Sequence, residues 1–234
     1  VPLVAQSAPQ MPGTMDLARV TAGTYNTDPG HTLIGWHVSH FGFNDYFGIF
    51  GDATGTLILD PAKLNEAKVD ITIPVSKVTT ASAGLTGHLL RAGKDGGKAD
   101  FFGPAPTDAK FVSTSVVANG TTAKITGNLT LNGVTKPVVL DTKFSGAGNN
   151  PFNRKATVGF HATSVIKRSE FGMAANVPYV GDEVTIRIAL EADLPAIVEI
   201  LASDTVGGHG DTTDPKVTSD YQAAFARIFA SSVE

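Results

Sequence analysis

The chain has 234 residues, 42% of them hydrophobic and 17% charged, with 25 glycines, 13 prolines and no cysteine. Such a composition is globular and rich in turns, and the missing cysteines exclude a disulfide framework, thiolate metal sites and cysteine nucleophiles. A formal charge of −4 without a Lys/Arg cluster lacks the electrostatic footprint of a nucleic-acid binder and does not favour anionic membranes, and no apolar run approaches the length of a spanning helix.

The opening stretch VPLVAQSAPQMPG is small, proline-bearing and unpatterned. Residues 1–21 therefore read as a flexible segment, of the kind left after an export signal is removed and equally of the kind a shortened chain leaves.

From Ala22 onward, short alternating segments recur between turn signals, the pattern of an antiparallel sandwich or barrel. They are GTYNTD, LIGWHVSHF, YFGIFGDATGTLILD, KVDITIP, KFVSTSVVA, AKITGNLTLN, PVVLDTKFS, TVGFHATSVI and EVTIRIALEAD. Asp60-Pro61, Asn119-Gly120 and Asn132-Gly133 mark turns between them, Asn-Gly being the strongest local hairpin cue. Gly48, Gly51 and Gly55 fall inside one long segment, where they mark bulges or curvature, and curved strands close sheets into barrels.

The second segment is unusual. Ile34, Trp36, Val38 and His40 share one face of a strand, and Leu33, Gly35, His37, Ser39 and Phe41 share the other. Neither face is plainly polar, so both are expected to be covered.

Two regions break the β pattern. Within ASAGLTGHLLRAGKDGGKADFF, Leu85 to Arg91 predict a short helix that runs into a glycine-rich loop. The loop is not a Walker phosphate loop: Ala92 stands where its first glycine is required, and Ala99 where Ser or Thr must follow the lysine. Beyond Leu194 come the apolar LPAIVEIL and the polar linker VGGHGDTTDPKVTSD. Tyr221, Phe225, Ile228 and Phe229 then fall at helical spacing, which predicts a C-terminal amphipathic helix docked on the barrel or on a second subunit.

Candidate chemistry is sparse. His37 and His40 are an odd number of positions apart and point to opposite faces of a strand, which opposes one shared metal ion. His161 could approach either across strands, but no third ligand is visible. No G-x-S-x-G elbow occurs and no carboxylate pair stands out, so neither catalytic residues nor metal ligands are assigned. The N-x-[ST] matches at Asn119 and Asn128 need no sugar, the first being explained by its hairpin.

Taken in order, these residues resemble the YceI-like family of bacterial, usually exported proteins. Tyr25-Asn26-Thr27-Asp28 and HTLIGWHVSHFGF are similar to that family's opening Y-x-x-D and H-S-x-I-x-F-x-V-x-H. The glycine-rich stretch Gly48 to Gly55, His88-Leu89, the DFF at Asp100 to Phe102, FVSTSV, GNLTLNGVTKPVVL, VIKRSEFGM and VGDEVTIRIALEA follow in family order. Agreement runs from about Ala22 to Ala192, with mild departures at Thr32, Trp36 and Glu170. The GKDGGKA loop reads as an insertion, and the tail past Leu194 lies outside the resemblance.

The resemblance implies an all-β fold: an eight-stranded antiparallel, lipocalin-like barrel over residues 22–193, with a short helical insert and the extension at 194–234. It implies a polyisoprenoid, an isoprenoid quinone or a similar single-chain amphiphile in an apolar tunnel, with no cofactor required. The chain is then expected to be a periplasmic or secreted carrier or scavenger, not an enzyme, with transient membrane contact and a homodimer among its expected associations. The candidate lining is Ile34, Trp36, Val38, His40, Phe50, Phe160 and Phe171. His40 has two readings, a headgroup contact or a core histidine satisfied by a neighbouring strand, and the second is favoured because buried polar groups usually find a protein partner. Trp36 is read as tunnel wall ahead of plug, and Arg168 as a surface arginine ahead of a headgroup contact. The alternative from another class is an acid/base or redox accessory enzyme acting on a quinone-like headgroup through His40 or His161.

Overall fold

The computed structural model describes residues 10–195. Its strands are β1 (Gly23–Thr27), β2 (Leu33–His40), β3 (Asn44–Phe50), β4 (Thr54–Leu59), β5 (Lys68–Ile73) and β6 (Thr79–Thr80). After the helix α1 (Ala83–Leu90) come β7 (Ala109–Asn119), β8 (Thr122–Leu131), β9 (Val134–Asn149), β10 (Ala156–Lys167) and β11 (Val180–Asp193).

Pairing gathers these strands into eight staves. β1 and β2 lie end to end along β11: Asn26 and Thr27 face Asp193 and Ala192, and β2 continues from Leu33 opposite Ala189 to His40 opposite Val180. β4 and β3 flank them in the same manner, and β5 and β6 lie outside those. β7 to β11 follow as single long strands, and β11 returns to β1, so the antiparallel ring closes. Closure removes the exposed edges that an open sheet would present.

Local sequence accounts for most of the geometry. At the β8–β9 hairpin Asn132 and Gly133 both take positive φ, +53° and +76°, the pair of left-handed residues that a two-residue type I′ turn requires. YFGIFGDATGTLILD, expected as one strand, is broken between β3 and β4, where Asp52 takes φ +56°. The helical insert begins slightly earlier than expected, because Ser82 caps it: its Oγ accepts from the Leu85 N–H at 3.3 Å.

Arg168 corrects the sequence expectation of a surface arginine, for it is only 3% exposed. Its guanidinium donates to the carbonyls of Gly181 (2.8 Å), Val180 (2.7 Å) and Met173 and lies over the Phe101 ring at 5.6 Å. Five donors in a rigid fork satisfy several carbonyls that irregular backbone leaves unpaired. Arg168 thereby ties the single turn Arg168–Phe171 and the loop after it to the start of β11.

Residues of the family-like motifs meet at this same end of the barrel. His88 Nε2 and Arg91 Nη2 contact Asp100 Oδ2 at 2.8 and 3.0 Å. Leu89 O accepts from the N–H groups of Phe102 and Gly103, and Phe101 packs edge-on to His88. Together with buried Val75, Phe171 and Met173, these residues cap one end. Of the N-terminal segment expected to be flexible, Thr14 pairs with Ala147 through two backbone hydrogen bonds, and Leu17 and Val20 pack against the barrel core. The expected C-terminal helix lies outside the described residues.

Candidate functional site

Inward side chains of the staves do not fill the barrel. They enclose a cavity of about 200 Å³. It runs from the cap, where Val75, Leu131 and Ile166 border it, to the β7–β8 turn, where Gly120, Thr121 and Thr122 do. Ile125, Leu140 and Ile188 wall its middle. From the level of Ala123 to that of Leu131, strand β8 advances eight residues, about 26 Å at 3.3 Å per residue. Strands in such barrels tilt by roughly 40°, which leaves about 20 Å along the axis.

Polar groups in the lining are few and mostly satisfied internally. Thr32 Oγ1 donates to Glu191 O at 3.1 Å, and Ser164 Oγ to Val139 O at 2.8 Å. Thr142 Oγ1 is the exception, buried on the cavity wall without a hydrogen-bond partner. An apolar cavity of about 150 Å³ lined by Leu, Ile and Phe stays dry and takes up benzene, and this one is larger with a similar lining.

Ile34, Phe50 and Phe160 border the cavity. Trp36, Val38, His40 and Phe171 do not. Trp36 shares the parity of Ile34, but its indole lies across Gly48 on β3: a Cβ at Gly48 would stand 2.1 Å from the ring, and the ring N–H is buried without a partner. Val38 is buried between neighbouring strands, opposite Val184 and Tyr46. Phe171 belongs to the cap, only 1% exposed, with its carbonyl accepting from Asn132 Nδ2.

His40 packs against the rings of Tyr46 and Phe41, at 4.4 and 4.5 Å between centroids. His161 is exposed on the outer face of β10, opposite Ala189 and Lys143. Neither histidine borders the cavity, so the geometry gives the acid/base reading no proton-transfer group inside it. His37 is bound to Asp45 at 2.9 Å, on the side of β2 away from His40.

A separate polar cluster unites Asp28, His31 and Glu191, whose ligating atoms lie within 4.8 Å of one another. His31 Nδ1 is 2.8 Å from Asp28 Oδ2. That hydrogen bond holds Asp28 below the usual carboxylate range and raises His31, while burial raises Glu191. The cluster stands at the β1–β2 turn beside the Thr32–Glu191 link and serves to fix that bend.

Sequence reasoning overlooked Ala162, Thr142 and Ser164, all of which border the cavity. The alternation was nonetheless readable: in VTKPVVLDTKF, Val134, Lys136, Val138, Leu140, Thr142 and Phe144 share one face of β9.

A closed antiparallel barrel around an apolar cavity defines the lipocalin-like class of architecture, in which the interior holds one small ligand. Within that class the chain belongs to the YceI-like family, whose domain matches residues 25–192. A UPF0312 protein of Pseudomonas paraeruginosa is 37% identical over 163 residues, covering 69% of this chain and 81% of that protein. The crystal structure of Burkholderia cenocepacia BcnA is similar with a TM-score of 0.60 at 25% identity, covering 71% of this chain and 99% of that one. A polyisoprenoid binding domain from Saccharophagus degradans shares the fold, with a TM-score of 0.50 at 14% identity over 73% of this chain and 98% of that one.

Proposed function

We propose that this protein binds one isoprenoid-type chain, a polyprenyl or isoprenoid quinone tail, inside its barrel, and works as an exported, periplasmic or secreted carrier or scavenger of such lipids without catalysing a reaction. The observation that carries this reading is the cavity: long and almost wholly apolar, with its few polar groups bound mostly to the barrel's own carbonyls and Thr142 the exception. A lining of this kind matches hydrocarbon and offers little to a polar metabolite. Membership of the YceI-like family and the ligand class in the name of the Saccharophagus degradans neighbour agree with it.

Each buried methylene contributes roughly 0.8 kcal/mol, so a five-carbon unit adds on the order of 3–4 kcal/mol before ordering costs. Affinity then rises with chain length. At the tip of the β2–β3 hairpin, Phe41, Phe43, Phe47 and neighbouring Tyr179 are each more than half exposed, which suits a transient contact with the membrane from which a lipid is collected. The test is native mass spectrometry and solvent extraction of the purified full chain, followed by titration of the delipidated protein with farnesol and geranylgeraniol. A co-purifying lipid and tighter binding of the longer alcohol are expected. A protein that carries no lipid and takes up neither alcohol would refute the reading.

A further inference from the structure

Exposed aliphatic side chains on the barrel wall, such as Ile58, Val112 and Val117, are ordinary for a folded surface. The β2–β3 hairpin tip and the loop before β11 differ. Phe41, Phe43, Phe47 and Tyr179 are 53, 90, 66 and 67% exposed. The Phe41 N–H donates to Tyr179 O at 2.6 Å, and the two rings stack 5.9 Å apart. Phe47 lies against the His37 ring across the hairpin.

Neither the core nor the turn asks for these rings. Phe41 and Gly42 take φ of +54° and +70°, where Asn-Gly is the ordinary pair. A bulky side chain in that conformation carries a steric cost. No burial offsets it, because the Phe41 ring stays half exposed and Phe43 beyond it is almost bare.

Area and charge select what these rings meet. At roughly 200 Å² per aromatic side chain, the four expose about 550 Å² together. That is at the upper end of what a monomer shows, and it falls short of the roughly 800 Å² per partner that a stable protein complex buries. Residues 40–47 and 176–181 contain neither Lys nor Arg, and their one carboxylate, Asp45, is held by His37 at 2.9 Å. Close by, Lys167 stands opposite Glu183, Arg168 acts on Asp182 and Arg91 meets Asp100. Nothing in the tip recognises an anion, and the formal charge of −4 opposes an anionic surface.

A bilayer interface fits, since aromatic rings settle at headgroup level. Backbone sets the depth. β6 covers β3 only at Gly48 and Ile49, so the outer edge of β3 over Asn44–Phe47 carries no ladder among the described residues. Unpaired backbone is not tolerated in hydrocarbon, which keeps the tip in the interfacial layer.

We infer that the hairpin tip, with Tyr179, docks the protein on the interfacial layer of a phospholipid bilayer by apolar contact, without selection for anionic headgroups. The capped end then faces the membrane, because the tip joins β11 at Val180, near the Lys167–Glu183 rung beside the cap. The inference deepens the carrier reading, on which it rests for its purpose alone, by naming the docking residues and the force that holds them.

The experiment floats the delipidated full chain with vesicles of phosphatidylcholine, and with vesicles of equal parts phosphatidylcholine and phosphatidylglycerol, at low and high salt. Binding to phosphatidylcholine that survives high salt is expected, with no gain from phosphatidylglycerol, since charge-driven attachment is screened. Phe43→Ser should lower the partition coefficient about tenfold or more and leave the urea midpoint unchanged. Phe41→Asn should weaken docking without destabilising the fold, because asparagine tolerates left-handed backbone. Phe152→Ser, 95% exposed in the β9–β10 turn at the other end of the barrel, should dock as the native chain does. The inference is overturned if phosphatidylcholine vesicles capture nothing, if capture needs phosphatidylglycerol and is released by salt, or if Phe152→Ser loses as much as Phe43→Ser. A dimer in sedimentation velocity that Phe43→Ser dissolves, in a chain that ignores vesicles, assigns the patch to a second copy and overturns it too. Each of these results leaves uptake of geranylgeraniol into the cavity untouched, whereas failure of that uptake alone overturns the carrier reading and not the docking.

Discussion

Ala162→Phe tests the cavity most directly. Ala162 is 8% exposed and borders the cavity from β10, between Thr142 on β9 and Ile188 on β11, both of which also border it. A phenyl ring at this point projects into the void. A cavity of about 150 Å³ accommodates a benzene molecule, so one ring consumes much of the available 200 Å³ and displaces about one five-carbon unit of a threaded chain. At roughly 0.8 kcal/mol per methylene the loss is about 3–4 kcal/mol before ordering costs, which sets an upper bound of about two to three orders of magnitude in Kd. Folding should not suffer, because the new ring fills empty space and is itself buried, gaining roughly 1.5–3 kcal/mol of transfer free energy. The measurements are calorimetric titration with geranylgeraniol and urea unfolding of the ligand-free chain. Val117→Phe, on the outer face of β7 where Val117 is 65% exposed, is the matched control and should bind as the native chain does. An Ala162→Phe protein that unfolds at the native urea concentration and still binds geranylgeraniol with native affinity would show that the chain does not occupy this cavity.

Arg168→Ala removes the partner of three carbonyls, and at roughly 1–3 kcal/mol per orphaned group it should cost at least about 3 kcal/mol in urea unfolding; a change below about 1 kcal/mol would refute the keystone role. Gly48→Ala places a methyl group 2.1 Å from the Trp36 ring, an overpacking expected to cost about 1–3 kcal/mol. Because Trp36 is the only tryptophan, its emission should shift in the same variant, and an unchanged spectrum counts against the contact. The Asp28–His31 pair predicts a pH window: Asp28, depressed, contributes above its unfolded value near 3.9 and loses that contribution as pH falls through its folded value. His31, raised, contributes fully below about 6.5 and loses its contribution as pH rises through its folded value. The difference in Tm between the native chain and His31→Gln should therefore be largest between about pH 4 and 6.5, small because the pair is exposed, and a difference that is flat from pH 3 to 9 would exclude the pairing.

The barrel was legible because alternation and turn chemistry are local. Asn132-Gly133 announces its turn, and the segments on either side carry the alternation of half-buried strands. What was not legible depends on register. Trp36 was read as tunnel wall from its parity with Ile34, yet its position is decided by Gly48, the residue that pairing sets opposite it, and no pattern within LIGWHVSHFG reports that neighbour. Arg168 was read as a surface residue because arginine is seldom buried. Its burial follows from carbonyls at Met173, Val180 and Gly181 that only the folded loop brings together. His40 failed as a tunnel residue for a related reason: it ends the inward row just where the hairpin tip begins, so aromatic neighbours on β3 and in the turn claim it first. Lys136 is the opposite case. Its inward parity was written in the alternation of β9 and was passed over because a lysine in a strand is usually a solvated one.

The void bears on a wall whose ladders are not all continuous, β10 pairing with β9 only as far as Thr163 opposite Asp141. Unfilled cavity volume costs roughly 24 cal/mol per Å³, so 200 Å³ left empty weighs about 5 kcal/mol against folding, comparable with the whole net stability of many domains. Long continuous ladders, β8 with β9 and β10 with β11, offset that cost without filling the interior. β6 has no ladder to β7 either, but there the cap, with Leu89, Phe101 and Phe102, stands close by. Between β9 and β10 the ladder ends beside Pro137, which cannot donate, and Ser164 Oγ satisfies the Val139 carbonyl at 2.8 Å. The stability of the barrel is thereby carried by its continuous seams, and Pro137 and Ser164 let one seam remain without a ladder at no cost in unsatisfied backbone groups.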